Sequence, residues 1–189
     1  MTDTTTLTAT TTTTTASSDL LSTEQKKIVD TVLFNARRAY CRITGREATI
    51  IKQQEEEEEK EEQQEELNGI VITGCAGTGK THVLRAIVKR LDSEQIRYMI
   101  VSYLGQAAVN SNGRTIHSAF NLGIQNPPNG TSIESFVAQQ SKPQFKHETV
   151  IFIEEFSTCN NFLLSIIDYK LRNFYTDQCT LPFAGRLVV

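Results

Sequence analysis

Apolar and polar positions recur along this chain in a few regular stretches, separated by two that have no period. Ile28, Val29, Val32, Leu33, Ala36, Ala39, Tyr40 and Ile43 fall three and four residues apart and predict an amphipathic helix. Ser22-Thr23-Glu24-Gln25 has the S-x-x-Q form of a helix start, and Gly45 is expected to interrupt the helix. Gly69-Ile70-Val71-Ile72-Thr73 is a short β-branched run that reads as a buried strand. Val83, Leu84, Ile87, Val88 and Leu91 predict a second helix ending near Asp92. Arg97 to Ser102 and Thr149 to Ile153 read as two more strands, and Ile133 to Gln140 as a short helix. Asn126 to Gly130 reads as a turn, and Phe162, Leu163, Ile166, Ile167, Lys170, Leu171 and Phe174 mark a helix with a broad apolar face. Arg186 to Val189 begins a last strand. Strands alternating with helices imply an α/β fold, a parallel sheet flanked by helices with its site at the strands' carboxyl ends.

The two aperiodic stretches divide the chain. Residues 1–18 are largely threonine and are expected to form a disordered tail, because they offer too little apolar surface to offset the entropy of ordering. Residues 19–52 carry the first helix, 53–66 form an acidic low-complexity insertion, and 67–189 form the core domain. The insertion changes the charge picture. Residues 55 to 66 hold nine Glu and one Lys, a local charge of −8, so the overall −3 leaves +5 on the rest. Like charges three and four apart repel, so the run is expected to be a solvated extension. The mildly basic remainder is compatible with a nucleic-acid partner. Cys41, Cys75, Cys159 and Cys179 show no C-x-x-C pair, and scattered thiols point to an intracellular compartment. No stretch reaches the ~18 apolar residues of a membrane span.

The candidate chemistry begins at Gly74-Cys75-Ala76-Gly77-Thr78-Gly79-Lys80-Thr81, which fits G-x-x-x-x-G-K-[ST] at every fixed position. Polyphosphate needs several backbone N–H groups converging on it, so the loop must curl through φ > 0, as glycine does at least cost. Gly74, Ala76, Gly77, Thr78, Gly79, Lys80 and Thr81 are the expected ATP contacts, with Lys80 on the β- and γ-phosphates and the Thr81 hydroxyl on Mg²⁺. The helix that starts here points its positive dipole end at the anion. A P-loop also needs an acid at the end of a neighbouring strand. Glu154-Glu155 follows the apolar run Val150 to Ile153, so Glu154 is assigned to the metal and Glu155 to the attacking water.

The order of these landmarks resembles superfamily 1 DNA helicases of the PIF and RecD type, including those carried by Helitron transposons. Leu21 to Gln25 is similar to their adenine-reading Q motif, and Gly74 to Thr81 to their motif I. Ser102-Tyr103-Leu104-Gly105-Gln106-Ala107-Ala108 resembles motif Ia, usually A-P-T-G-x-A-A. Gly113-Arg114-Thr115-Ile116-His117-Ser118 is similar to their G-x-T-I-H-S segment, and Ile153-Glu154-Glu155-Phe156-Ser157 to motif II, usually I-D-E-x-S-M. Leu171-Arg172 and Pro182-Phe183-Ala184-Gly185 resemble their L-R and P-F-G-G landmarks. Glu154 stands for Asp, Thr158 for Met, Leu104 for Thr and Ala184 for Gly, and the glutamate run lengthens the gap before the P-loop.

The resemblance implies a RecA-like P-loop NTPase domain, incomplete at its C-terminus and without the second RecA-like domain that supplies γ-phosphate arginines. It implies an ATP-dependent DNA helicase using ATP and Mg²⁺, with single-stranded DNA as partner and a nuclear location. Gly105, Ala107, Thr115, His117 and Ser118 are the DNA contacts it implies. Gln25 is left open between reading adenine and completing the helix cap. The alternative to an enzyme is a non-catalytic module that holds nucleotide or a protein partner.

Overall fold

The strands among the described residues all pair in parallel, so each must be reached by a crossover, and the helices lie on the two faces of the sheet. The computed structural model describes residues 4–8, 21–45, 68–123, 132–141, 143 and 147–189. In chain order the elements are β1 (Thr4–Thr8), α1 (Thr23–Thr44), β2 (Gly69–Thr73), α2 (Lys80–Ser93), β3 (Tyr98–Ser102), α3 (Gly105–Asn110), β4 (Arg114–Thr115), α4 (Ile116–Ala119), α5 (Ile133–Ala138), β5 (Val150–Glu154), α6 (Asn161–Phe174) and β6 (Leu187–Val188), with short 3₁₀ turns between. The sheet order is β1-β2-β6-β5-β3-β4. The glutamate run and the 126–130 turn lie outside the described residues.

β5 shows why the sheet is buried. Val150 and Phe152 face one core and Ile151 and Ile153 the other, so a continuous apolar run replaces the alternation of a half-wet strand. The first core joins β5 to α1 and α2 through Val32, Leu33, Ala36, Val83, Ile87 and Leu91. The second joins it to α4 and α6 through Ile116, Phe120, Ile166, Ile167 and Leu171. β6 contributes Leu187 to the first and Val188 to the second.

α1 starts and stops on local signals. Ser22 Oγ accepts from the Gln25 N–H at 3.2 Å, and Gln25 Oε1 accepts from the Ser22 N–H at 3.0 Å, a complete capping box. Gly45, at φ 64°, ends the helix rather than interrupting it, with its N–H on the Cys41 carbonyl. A bidentate pair, Arg37 Nε and Nη2 to the Glu94 carboxylate at 2.8 and 2.7 Å, fastens α1 beyond the last turn of α2.

Two expectations are corrected. Five of the eighteen residues read as a disordered tail form β1, parallel to β2 from Thr4↔Gly69 to Thr8↔Thr73. Threonine is β-branched and accepts extended backbone, and the edge of β2 presents unpaired N–H and C=O groups, so main-chain pairing supplies what apolar burial does not. β2 is also less covered than its composition suggests: Ile70 is buried, but Val71, Ile72 and Thr73 are half-buried and border a large cavity.

Lys170 is nearly inaccessible, 2% exposed, on the apolar face of α6. Its ammonium donates to the carbonyls of Phe120 at 2.6 Å, Asn121 at 3.2 Å and Ser141 at 3.2 Å. Burial pushes it down to about 8, and the three carbonyl dipoles oppose that by favouring the charged form. The contact ties α6 to the residues that end α4 and follow α5.

Candidate functional site

The loop between β2 and α2 has the backbone that phosphate binding requires. Gly77 and Gly79 sit at φ 82° and 86°, where a side chain is strained. Gly79 faces a second limit, since a Cβ there would meet Gln25 Nε2 at 2.6 Å. Thr78 is buried and donates its hydroxyl to the Cys75 carbonyl at 2.9 Å, closing the turn. Lys80 opens α2 and folds its ammonium onto the loop's own carbonyls, Gly74 at 2.7 Å and Cys75 at 3.0 Å.

Glu154 ends β5, half-buried. Burial raises its carboxyl above the usual carboxylate range, the neighbouring Glu155 charge raises it further, and the Lys80 ammonium acts against both. Glu155 leaves the strand at φ 54°, ψ 46°, a left-handed conformation unusual for glutamate, and its carbonyl accepts from the Thr158 N–H at 2.8 Å and hydroxyl at 2.7 Å. Such backbone is held only where surrounding bonds fix it. Gly74, Ala76, Lys80, Glu154 and Glu155 line one cavity of about 1020 Å³, which extends over Phe152, Leu164 and Phe183. Thr81 is exposed and lines a neighbouring cavity of about 510 Å³ with Arg85 and Arg114. The sequence-assigned lysine and carboxylate pair thus line one cavity, whereas Gly77, Thr78, Gly79 and Thr81 do not line it.

Gln25 does two things at once. Besides capping α1, its Nε2 donates to the Thr78 carbonyl at 3.1 Å, so the amide braces the P-loop against the first helix. This bond spans 53 positions and has no sequence signal beyond the cap itself. The five residues implied for DNA lie near the carboxyl ends of β3 and β4. Gly105 opens α3 on the surface, Ala107 is half-buried on it, and Thr115 ends β4, where its hydroxyl accepts from the Ser118 N–H at 3.2 Å. Ser118 is exposed, and the His117 ring lies 5.6 Å from that of Tyr103. Arg85, Lys89 and Arg90 are exposed on α2, and all four cysteines are free. No helix among the described residues is long and apolar enough to cross a membrane.

Parallel sheet, P-loop and acidic strand end define the class as a P-loop NTPase domain of RecA-like fold. Residues 43–189 match the profile of the family "PIF1-like helicase", and the chain belongs to that family. It is 28% identical over 123 residues to ATP-dependent DNA helicase PIF4 of Trypanosoma brucei brucei, covering 64% of this chain and 15% of that one. It is 29% identical over 121 residues to ATP-dependent DNA helicase RRM3 of Saccharomyces cerevisiae, covering 61% and 16%. The crystal structure of Bacteroides Pif1 helicase in complex with ADP-AlF3 and ssDNA shares the fold, with a TM-score of 0.54 at 22% identity over 90% of this chain and 32% of that one. The chain therefore spans about a sixth of the length of the curated relatives and a third of the solved one.

Proposed function

We propose that this chain is the ATP-binding RecA-like domain of a DNA helicase, holding ATP at residues 74 to 81 and working with a single strand of DNA. The observation that carries the reading is the shared cavity of Lys80, Glu154 and Glu155, residues from opposite ends of the core sequence. Gly77 and Gly79 turn the loop so that its N–H groups face the triphosphate, and Lys80 exchanges its two carbonyl partners for phosphate oxygens. The exposed Glu155 carboxylate orients the attacking water and accepts its proton.

Magnesium fits the donor set. Glu154 offers a hard oxygen in the Lys80 cavity and carries a charge that burial and Glu155 make costly, while the Thr81 hydroxyl lies on the neighbouring cavity. An ion of this kind is commonly held by one or two protein oxygens plus phosphate and water. When bound, the ion neutralises charge on the phosphate oxygens. The Bacteroides relative solved with ADP-AlF3 and ssDNA supports both ligands for this chain.

The 189 residues hold one RecA-like domain, and in this family the γ-phosphate arginines come from the second. Lacking such an arginine costs ~10³–10⁵ in turnover, so residues 1–189 purified by themselves are expected to bind ATP and hydrolyse it very slowly. Lys80→Ala removes a charge-assisted contact of about 1.5–3 kcal/mol and should weaken ATP binding roughly ten- to hundredfold. Titration with a fluorescent ATP analogue measures this. Unchanged affinity in the variant would refute the site, and fast DNA-stimulated hydrolysis by the wild-type chain would refute the missing-arginine argument.

A further inference from the structure

α4 is a helix of four residues, Ile116–Ala119, too short to persist on its own hydrogen bonds. It is held at both ends. At the start the Thr115 hydroxyl accepts from the Ser118 N–H at 3.2 Å. At the end Asn121 turns left-handed at φ 48°, and the Leu122 N–H donates back to the His117 carbonyl at 2.9 Å, the bond of a Schellman cap. Asparagine accepts such a turn less readily than glycine, so the cap gains from a grip outside itself.

Lys170 supplies that grip. The carbonyls of Phe120 and Asn121, which leave the cap, both accept from its ammonium, at 2.6 and 3.2 Å, and the Ser141 carbonyl beyond α5 accepts as well at 3.2 Å. The side chain is 2% exposed, on a helix face otherwise made of Leu163, Ile166, Ile167 and Leu171. An apolar residue would fill the same place without taking a charge out of water. Three carbonyls converging on one ammonium instead fix positions, because each bond is directional.

α6 gives the grip its base. It follows the carboxylates: Glu155 leads into a 3₁₀ turn, Phe156–Thr158, and Asn160 Oδ1 caps the helix by accepting from the Leu163 N–H at 2.8 Å. Lys170 then stands about 14 Å along the axis from the first residue of α6. One helix thus runs from the end of the nucleotide site to the back of α4.

α4 carries His117 and Ser118, which the single-strand reading above sets against DNA. Resting on that reading, we propose that Lys170 is a positioning residue for DNA binding. It touches neither strand nor nucleotide, and it sets the angle at which α4 presents His117 and Ser118. A strand held by several contacts needs them in register, so loosening one end of α4 loses contacts and leaves the P-loop as it was.

The test is a split between two affinities of the whole chain, each measured below the thermal midpoint of the variant: labelled oligothymidine by fluorescence anisotropy, and ATP by titration with a fluorescent analogue. Lys170→Met should weaken oligothymidine about tenfold, the worth of one or two hydrogen bonds, and leave ATP within about twofold of wild type. Lys170→Arg, which keeps the charge and its donors, should recover most of the loss. Asn121→Ala disturbs the same cap from the other side, since alanine adopts the left-handed turn less readily than asparagine, and should weaken oligothymidine in the same sense. A folded Lys170→Met that binds oligothymidine as tightly as wild type, or loses both affinities equally, would overturn the positioning role and leave the single-strand reading intact. Where Lys170→Met does not fold, unchanged binding by Asn121→Ala would do the same. A wild-type chain that binds ATP and no oligothymidine would overturn the single-strand reading itself, and the role with it.

Discussion

Replacing Gln25 with alanine separates two roles that the sequence leaves open. The side chain accepts from the Ser22 N–H at 3.0 Å and donates to the Thr78 carbonyl at 3.1 Å, and both bonds vanish in the variant. Each is part-buried, and a net ~0.5–1.5 kcal/mol apiece is the usual range. Ser22 Oγ keeps its own bond to the residue-25 N–H, so half of the cap survives, and alanine is slightly the better helix former. The expected loss is therefore about 1–2.5 kcal/mol, and at ~2–4 °C per kcal/mol the thermal midpoint should fall by roughly 2–10 °C.

Nucleotide affinity should fall as well, because the Thr78 carbonyl belongs to the loop whose curl presents the phosphate donors. A brace acts on the loop and not on the base, so ATP and GTP should weaken by the same factor. Gln25→Glu sharpens the test, since it keeps the acceptor for Ser22 but sets a carboxylate against the Thr78 carbonyl, and should be at least as damaging. Differential scanning calorimetry and parallel titrations with both nucleotides provide the readout. An unchanged midpoint together with a selective loss of ATP over GTP would refute the brace and establish adenine reading.

Two further substitutions probe groups whose environment is unusual. Lys170→Met removes the donor to three backbone carbonyls from a site 2% exposed and should cost about 3 kcal/mol in urea unfolding, whereas a loss below ~1 kcal/mol would mean that the ammonium carries little of the joint between α6 and the Phe120–Asn121 turn. Glu154→Gln tests the raised carboxyl: because its folded value lies above the unfolded one, its contribution to stability is full below the ordinary carboxylate value and is lost as pH rises through the raised one. The glutamine variant should therefore gain on wild type in thermal melts as pH rises above the ordinary carboxylate value of about 4.3, and a gap that does not change with pH would contradict the burial argument.

What the sequence made legible was local. The Ser22 cap, the P-loop and the apolar run of β5 all depend on residues within a few positions of one another, and all appear where their patterns place them. What it hid was long-range. The Gln25–Thr78 bond links sites 53 residues apart, and nothing around Lys170 announces its role on the apolar face because its partners are carbonyls, which every residue carries. Arg186 is likewise buried, its guanidinium 3.3 Å above the centroid of the Tyr175 ring, in a stretch that reads only as a strand start. The β1 pairing is invisible for a related reason: an edge accepts main chain, and main chain has no composition.

The placing of β6 sets the spacing between the P-loop and Glu154. It lies between β2 and β5, so the strand that feeds the P-loop and the strand that ends in Glu154 stand two places apart. At about 4.8 Å per strand, that separates their axes by roughly 9–10 Å. Were the two strands adjacent, Lys80 and Glu154 would be drawn into a direct ion pair, each satisfying the other and closing the site. One strand further away, the ammonium rests on the Gly74 and Cys75 carbonyls while its field still reaches Glu154, and the two charges face a cavity large enough for a triphosphate. A two-residue strand can act as this spacer because Leu187 and Val188 fill one core each, so even so short a segment is held from both faces.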